Sequence, residues 1–208
     1  MPRMALLAAA LSWLGTGAPA EADFRLTLPI ACEFGRTCVV QNYVDHEAGA
    51  GAQDYRCGWL TYDGHKGTDL RVIDGPRFRQ GVAVRAAAAG RVRAVRDGMA
   101  DVSVRAIGQA AVARREAGNS VVIEHGNGWE TQYAHLRATS VAVRPGDLLA
   151  PGARLGLVGL SGATEFPHLH FEVRHRGKTV DPFVGLAPRA ACRAADPSLW
   201  EEHALRAL

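Results

Sequence analysis

Four of the eight histidines fall in three short segments whose residue types and spacing suit metal-assisted hydrolysis. The first segment is Asp63-Gly64-His65-Lys66-Gly67-Thr68-Asp69-Leu70. In extended form, alternate side chains share a face, so His65, Gly67 and Asp69 point the same way. Gly67 places no side chain between the imidazole and the carboxylate, and both can reach one ion. The second segment runs from Trp129 to Leu136 and carries His135 at a strand end, with Tyr133 expected on the same face. The third is His168-Leu169-His170-Phe171-Glu172-Val173. Alternation puts Leu169, Phe171 and Val173 on an apolar face and His168, His170 and Glu172 on the other. Imidazole and carboxylate donors suit zinc. Each segment alone is weak evidence: Asp69 also reads as a turn residue, and a lone strand-end histidine is more often structural than catalytic.

Taken together and in this order, His-x-x-x-Asp, Tyr-x-His-Leu and His-Leu-His-Phe-Glu resemble the LytM/lysostaphin-type metallopeptidases of bacterial cell walls. The resemblance covers roughly residues 60–183 and includes a non-chemical frame, such as Gly118-Asn119-Ser120-Val121, Gly156-Leu157-Val158-Gly159 and Val180-Asp181-Pro182. It implies one zinc ion per chain, held by His65, Asp69 and His170, with His135 and His168 as the catalytic histidines. No further cofactor is implied. The implied substrate is peptidoglycan, cut as a metalloendopeptidase would cut it. Two alternatives stay open: a non-catalytic wall-binding or hydrolase-activating protein, and a zinc peptidase acting on a protein substrate.

Placing these side chains requires strands. Residues 82–84, 91–95, 120–124, 130–135, 154–158 and 168–174 read as short strands between Gly, Asn and Pro. Gly126-Asn127-Gly128 marks a hairpin. The expected fold is mainly β: an antiparallel sandwich or barrel-like domain with a narrow groove and few short helices. One helix is expected in the tail, capped by Asp196 with Pro197 at its first position. A second is expected at 110–116, inside an insertion that either walls the groove or loops over the surface. Glu172 reads either as a partner of a ligand imidazole or as a solvated carboxylate. His125 reads as structural, and His46, His175 and His203 as surface residues.

Residues 1–20 read as a secretory signal: Arg3, an apolar run from Ala5 to Leu14, and Ala18-Pro19-Ala20 at the cleavage site. That run is too short to span a bilayer, so no membrane span is expected. Residues 21–60 form an N-terminal extension, 61–185 the metallopeptidase domain and 186–208 a tail. The extension either covers the groove or adds a β-segment. Four cysteines suit an oxidising compartment. Of three possible pairings, Cys32 with Cys38 closes a small loop around Gly35 and leaves Cys57 to join Cys192. A net charge of +3 without a basic run argues against nucleic acid. The expectation is an exported monomer, periplasmic or else secreted.

Overall fold

The computed structural model describes residues 24–187 and 192–208, so the signal segment 1–20 lies outside the described residues. The chain order is β1 (Cys38–Asn42), β2 (Thr68–Val72), α1 (Gly75–Gln80), β3 (Ala83–Arg85), β4 (Gly90–Arg96), α2 (Val104–Ile107) and a 3-10 turn (Gln109–Val112). It continues with β5 (Asn119–Gly126), β6 (Trp129–Leu136), β7 (Leu148–Leu149), β8 (Arg154–Leu157), β9 (His168–His175), β10 (Lys178–Val180) and α3 (Glu202–Ala207). The main sheet is antiparallel, in the order β1-β2-β9-β6-β5-β4-β7, and β10 also pairs with β9. β3 and β8 form a second, two-stranded sheet. One hydrophobic cluster takes residues from both sheets, including Val84, Leu155, Ile123, Tyr133 and Phe171. The fold is thus mainly β with a few short helices, and the main sheet stays open at β1 and β7 rather than closing into a barrel.

The central pairings set the register of the site. Asp69 on β2 faces His170 on β9, and Ala134 on β6 faces the same histidine from the other side. Leu169, Phe171 and Val173 are no more than 1% exposed, which turns His168, His170 and Glu172 to the opposite face. On β6 the core side belongs to Thr131 and Tyr133, both fully buried.

The N-terminal extension is an edge addition. β1 pairs with β2, and Gln41 accepts a hydrogen bond from Arg71 across the pair. Cys32–Cys38 closes the loop before β1, and Cys57–Cys192 joins the loop before His65 to the tail. Ahead of β1, Leu26 pairs with Trp200, its N–H donating to Leu199 O and its carbonyl accepting from Glu201 N. That pairing explains why the tail helix begins at Glu202 and not beside Pro197. The backbone of 199–201 is committed to Leu26, and Trp200 is packed between Phe171 and Phe183. The insertion likewise differs from a helix over 110–116: it holds α2 and the 3-10 turn, and ends in an irregular stretch up to Gly118. Among the described residues no helix is long and apolar enough to cross a membrane.

Candidate metal centre and active-site groove

Three elements bring three donors together. His65 lies in the loop entering β2, Asp69 on β2 and His170 on β9. Each offers one ligand atom, and these atoms all lie within 4.8 Å of one another. His65 Nε2 is 3.2 Å from Asp69 Oδ2 and 3.3 Å from His170 Nδ1, and His170 Nδ1 is 2.9 Å from Asp69 Oδ1. The cluster is sunk into the sheet, with His65 and Asp69 each 3% exposed.

Second partners fix which nitrogen is available. His65 Nδ1 donates to the carbonyl of Tyr43 at 2.6 Å, which leaves Nε2 with its lone pair toward the cluster. Asp45 steadies the loop from beneath by accepting from the N–H of Gly64. Burial disfavours the charge of Asp69, but the surrounding imidazoles of His168, His170 and His65 outweigh it and hold the carboxyl well below its usual range. Burial lowers the pKa of His65, but the neighbouring Asp69 carboxylate carries it upward overall. Tyr62 packs on the His65 ring at 4.4 Å, and its hydroxyl is pushed up to about 12 by burial and by the Asp69 charge.

Two further imidazoles flank the cluster. The His135 ring centroid is 4.7 Å from that of His168 and 5.9 Å from that of His170. Its position departs from the expected alternation. Tyr133 and His135 do not share a face: Tyr133 is in the core, where its hydroxyl accepts from Ala87 N. Regular pleating would bury His135 there too. Instead His135 adopts φ 62°, in the left-handed region that non-glycine residues seldom enter. The turn is enforced on both sides, since His135 N donates to Ala117 O and its carbonyl accepts from Gly159 N. A strained backbone held this way belongs to positions where a side chain must be aimed.

His135 Nδ1 donates to Ser161 O at 2.8 Å, and His168 Nδ1 to Phe166 O at 3.0 Å, beside Thr164 Oγ1. Carbonyls only accept, so both rings carry their proton on Nδ1 and present a bare Nε2. Burial, reinforced by the neighbouring His168 and His170, holds His135 well below the usual imidazole range, although the bond to Ser161 pulls the other way.

His65, His135 and His170 open into a groove of about 410 Å³, while Asp69 and His168 lie behind its lining. Tyr62, Gly64 and Lys66 from the loop entering β2 line it, with Glu116, Ala117 and Ala163 from other loops and Gln132 and Glu172 from β6 and β9. The end of the insertion is therefore groove wall. No residue from 24–60 lines the groove. Glu172 is neither solvated nor bonded to a ligand imidazole: it is 7% exposed and accepts from Thr179 and Arg174. His125 is structural, its Nδ1 donating to Ala89 O and its Nε2 meeting Thr131 Oγ1. His46 is more than a surface residue, because it bonds Asp181 at 2.8 Å. Sequence reasoning had no signal for the supporting carbonyls of Tyr43, Ser161 and Phe166, since any residue type supplies a carbonyl.

The sequence profile of peptidase family M23 matches residues 63–182, more than half of the chain, and that span holds all five site residues. The chain belongs to peptidase family M23. Its similarity to curated relatives covers part of its length. The peptidoglycan DD-endopeptidase ShyA of Vibrio cholerae is 41% identical over 75 residues, 36% of this chain and 17% of that protein. The DD-carboxypeptidase/endopeptidase Mpg of Neisseria meningitidis serogroup B is 41% identical over 86 residues, 40% of this chain and 19% of that protein. The chain thus spans less than a fifth of the length of these relatives. Among solved structures, the catalytic domain of a mutant prophage-encoded M23 protein, EnpA of Enterococcus faecalis, aligns with a TM-score of 0.50 at 22% identity, covering 76% of this chain and 98% of that one. A chain of the SpoIIIAH–SpoIIQ complex aligns with a TM-score of 0.53 at 22% identity, covering 76% and 97%. These two share the fold, and a fold alone does not assign chemistry; the donor set must.

Proposed function

We propose that this M23 protein is a zinc endopeptidase that hydrolyses peptide bonds in peptidoglycan. The observation that carries the reading is the convergence of His65 Nε2, an Asp69 carboxylate oxygen and His170 Nδ1, beside two imidazoles that each present a bare Nε2. The fit to zinc is direct. Ligands about 2.0–2.1 Å from a tetrahedral ion stand about 3.3–3.4 Å apart; the two imidazole nitrogens here are 3.3 Å apart, and the Asp69 carboxylate lies 3.2 Å from His65 through Oδ2 and 2.9 Å from His170 through Oδ1. Three protein donors also suit a catalytic site, which keeps one position open.

Zinc held there would polarise the scissile carbonyl and acidify a water molecule. The chain's own groups do the rest. Tyr43 O holds His65 in the ligating tautomer, and the β2–β9 pairing sets His170 Nδ1 beside the Asp69 carboxylate. His135 or His168 takes the water proton at Nε2, and the resulting imidazolium passes it to the departing amine nitrogen. The bonds to Ser161 and Phe166 keep both rings aimed while this happens. No carboxylate base is required, and the ligand Asp69 stays ionised.

The finer points belong to the same proposal: export through residues 1–20, a periplasmic location, one zinc per chain and action as a monomer. The disulfides Cys32–Cys38 and Cys57–Cys192 support an oxidising compartment. Purified sacculi digested with the mature protein should yield new free amine ends, identified by mass spectrometry, and a chelator should abolish them. Sacculi left unchanged by the zinc-loaded protein would refute the reading.

A further inference from the structure

Glu172 stands two residues beyond His170 on the same face of β9, which places it about 7 Å further along the groove floor. It lines the groove yet is only 7% exposed. A carboxylate buried to that degree usually holds charge-assisted hydrogen bonds of about 2.7–2.9 Å from nitrogen donors. Glu172 has none so short: Arg174 Nη1 is 3.4 Å from Oε2, and Thr179 Oγ1 is 3.3 Å from Oε1. Arg174 is also shared. Its Nε lies 3.6 Å from Glu130 and has no hydrogen-bond partner. Glu130 in turn holds Arg93 at 2.9 Å. The row Arg93, Glu130, Arg174, Glu172 therefore alternates in sign and ends, toward the metal centre, on a carboxylate with an incomplete counter-charge. Across the β6–β9 pair Gln132 faces Glu172 and lines the same groove, so an amide oxygen is available beside the carboxylate.

We propose that Glu172, with Gln132, is a specificity subsite for a free side-chain ammonium group on the peptide substrate. The inference rests on the endopeptidase reading above. An ammonium carries three donors and no acceptor, which complements a carboxylate with unfilled acceptor capacity next to an amide oxygen. An extended peptide advances about 3.4 Å per residue, so the ammonium belongs to a residue within two positions of the scissile bond. The substrate class is a peptide containing a diamino acid whose second amine is not acylated.

The test uses the zinc-loaded mature chain and two synthetic cross-linked peptides. They differ only in whether the side-chain amine next to the scissile residue is free or acetylated. The parent protein should favour the free amine by roughly tenfold or more in kcat/KM, with the difference in KM. Glu172→Gln should bring that ratio close to one. A non-hydrolysable reduced-amide analogue, followed by fluorescence anisotropy, should show the same pattern in binding. If Glu172→Gln fails to melt cooperatively, Gln132→Ala must narrow the ratio in its place. Equal handling of both peptides by the parent overturns the inference and leaves the endopeptidase reading standing, as does a preference that survives the substitution. Failure to cut either peptide overturns both.

Discussion

Gly67 lies directly against the imidazole of His170: a Cβ built there would stand 2.7 Å from Cε1 and 2.8 Å from Nε2. The carbonyl of Phe171 would be 2.8 Å away as well, so a side chain could not be accommodated by rotating the histidine alone. Gly67→Ala should therefore weaken zinc binding by roughly 10- to 100-fold, as loss of a ligand-orienting contact does, although no ligand is changed. Competition with a chromophoric chelator measures this. Parent-like affinity would show that His170 has another way to reach the ion.

His135→Ala and His168→Ala should each keep the metal and lose roughly 100- to 10,000-fold in turnover. Zinc content and cleavage of a defined cross-linked muropeptide would be measured on the same samples. If both variants cut at the parent rate, the two rings are structural and the proton path is wrong, whatever happens to the metal.

His125 gives a pH signature away from the metal. Burial lowers its pKa in the folded state, although its bond to Ala89 O acts in the other direction. Below the ordinary imidazole pKa the unfolded chain then binds a proton that the native chain resists, so its contribution to stability falls as pH drops. Urea melts of the parent and of His125→Asn should show a stability gap that is wider at pH 7.5 than at pH 5.5. A gap independent of pH would mean that His125 titrates normally in the fold.

The two disulfides should differ in weight. Cys57–Cys192 closes 135 residues and Cys32–Cys38 only 6. In the chain-entropy model these correspond to roughly 5 and roughly 2 kcal/mol. Replacing Cys57 and Cys192 with Ser should thus lower the denaturant midpoint more than replacing Cys32 and Cys38. The reverse order would point to local strain in place of chain entropy.

The core faces of β9 were legible in the sequence because alternation of Leu169, Phe171 and Val173 needs only the strand period. The meeting of Asp69 with His170 was legible as motif wording, while its register was not, since pairing across about a hundred residues leaves no local trace. His135 shows the limit most clearly. A period-two pattern assigned it to the face of Tyr133, and only the backbone turn imposed by Ala117 and Gly159 brings it to the groove. The tail helix failed for a similar reason: Asp196 and Pro197 are good starting residues, but the pairing of Leu26 with residues 199–201 claims that backbone first.

β1 also governs how these molecules treat one another. Were it absent, β2 would be the outermost strand of the sheet, and the backbone groups beside Asp69 would face solvent unpaired. Such an edge is a template on which a second chain can add a strand. Because β1 occupies it and is fastened at its start by Cys32–Cys38, the stretch beside Asp69 is sealed within one chain, and the open edge of the sheet is moved out to β1. Reducing conditions would loosen that seal before they touched the ligands, so loss of solubility would be an early sign of damage.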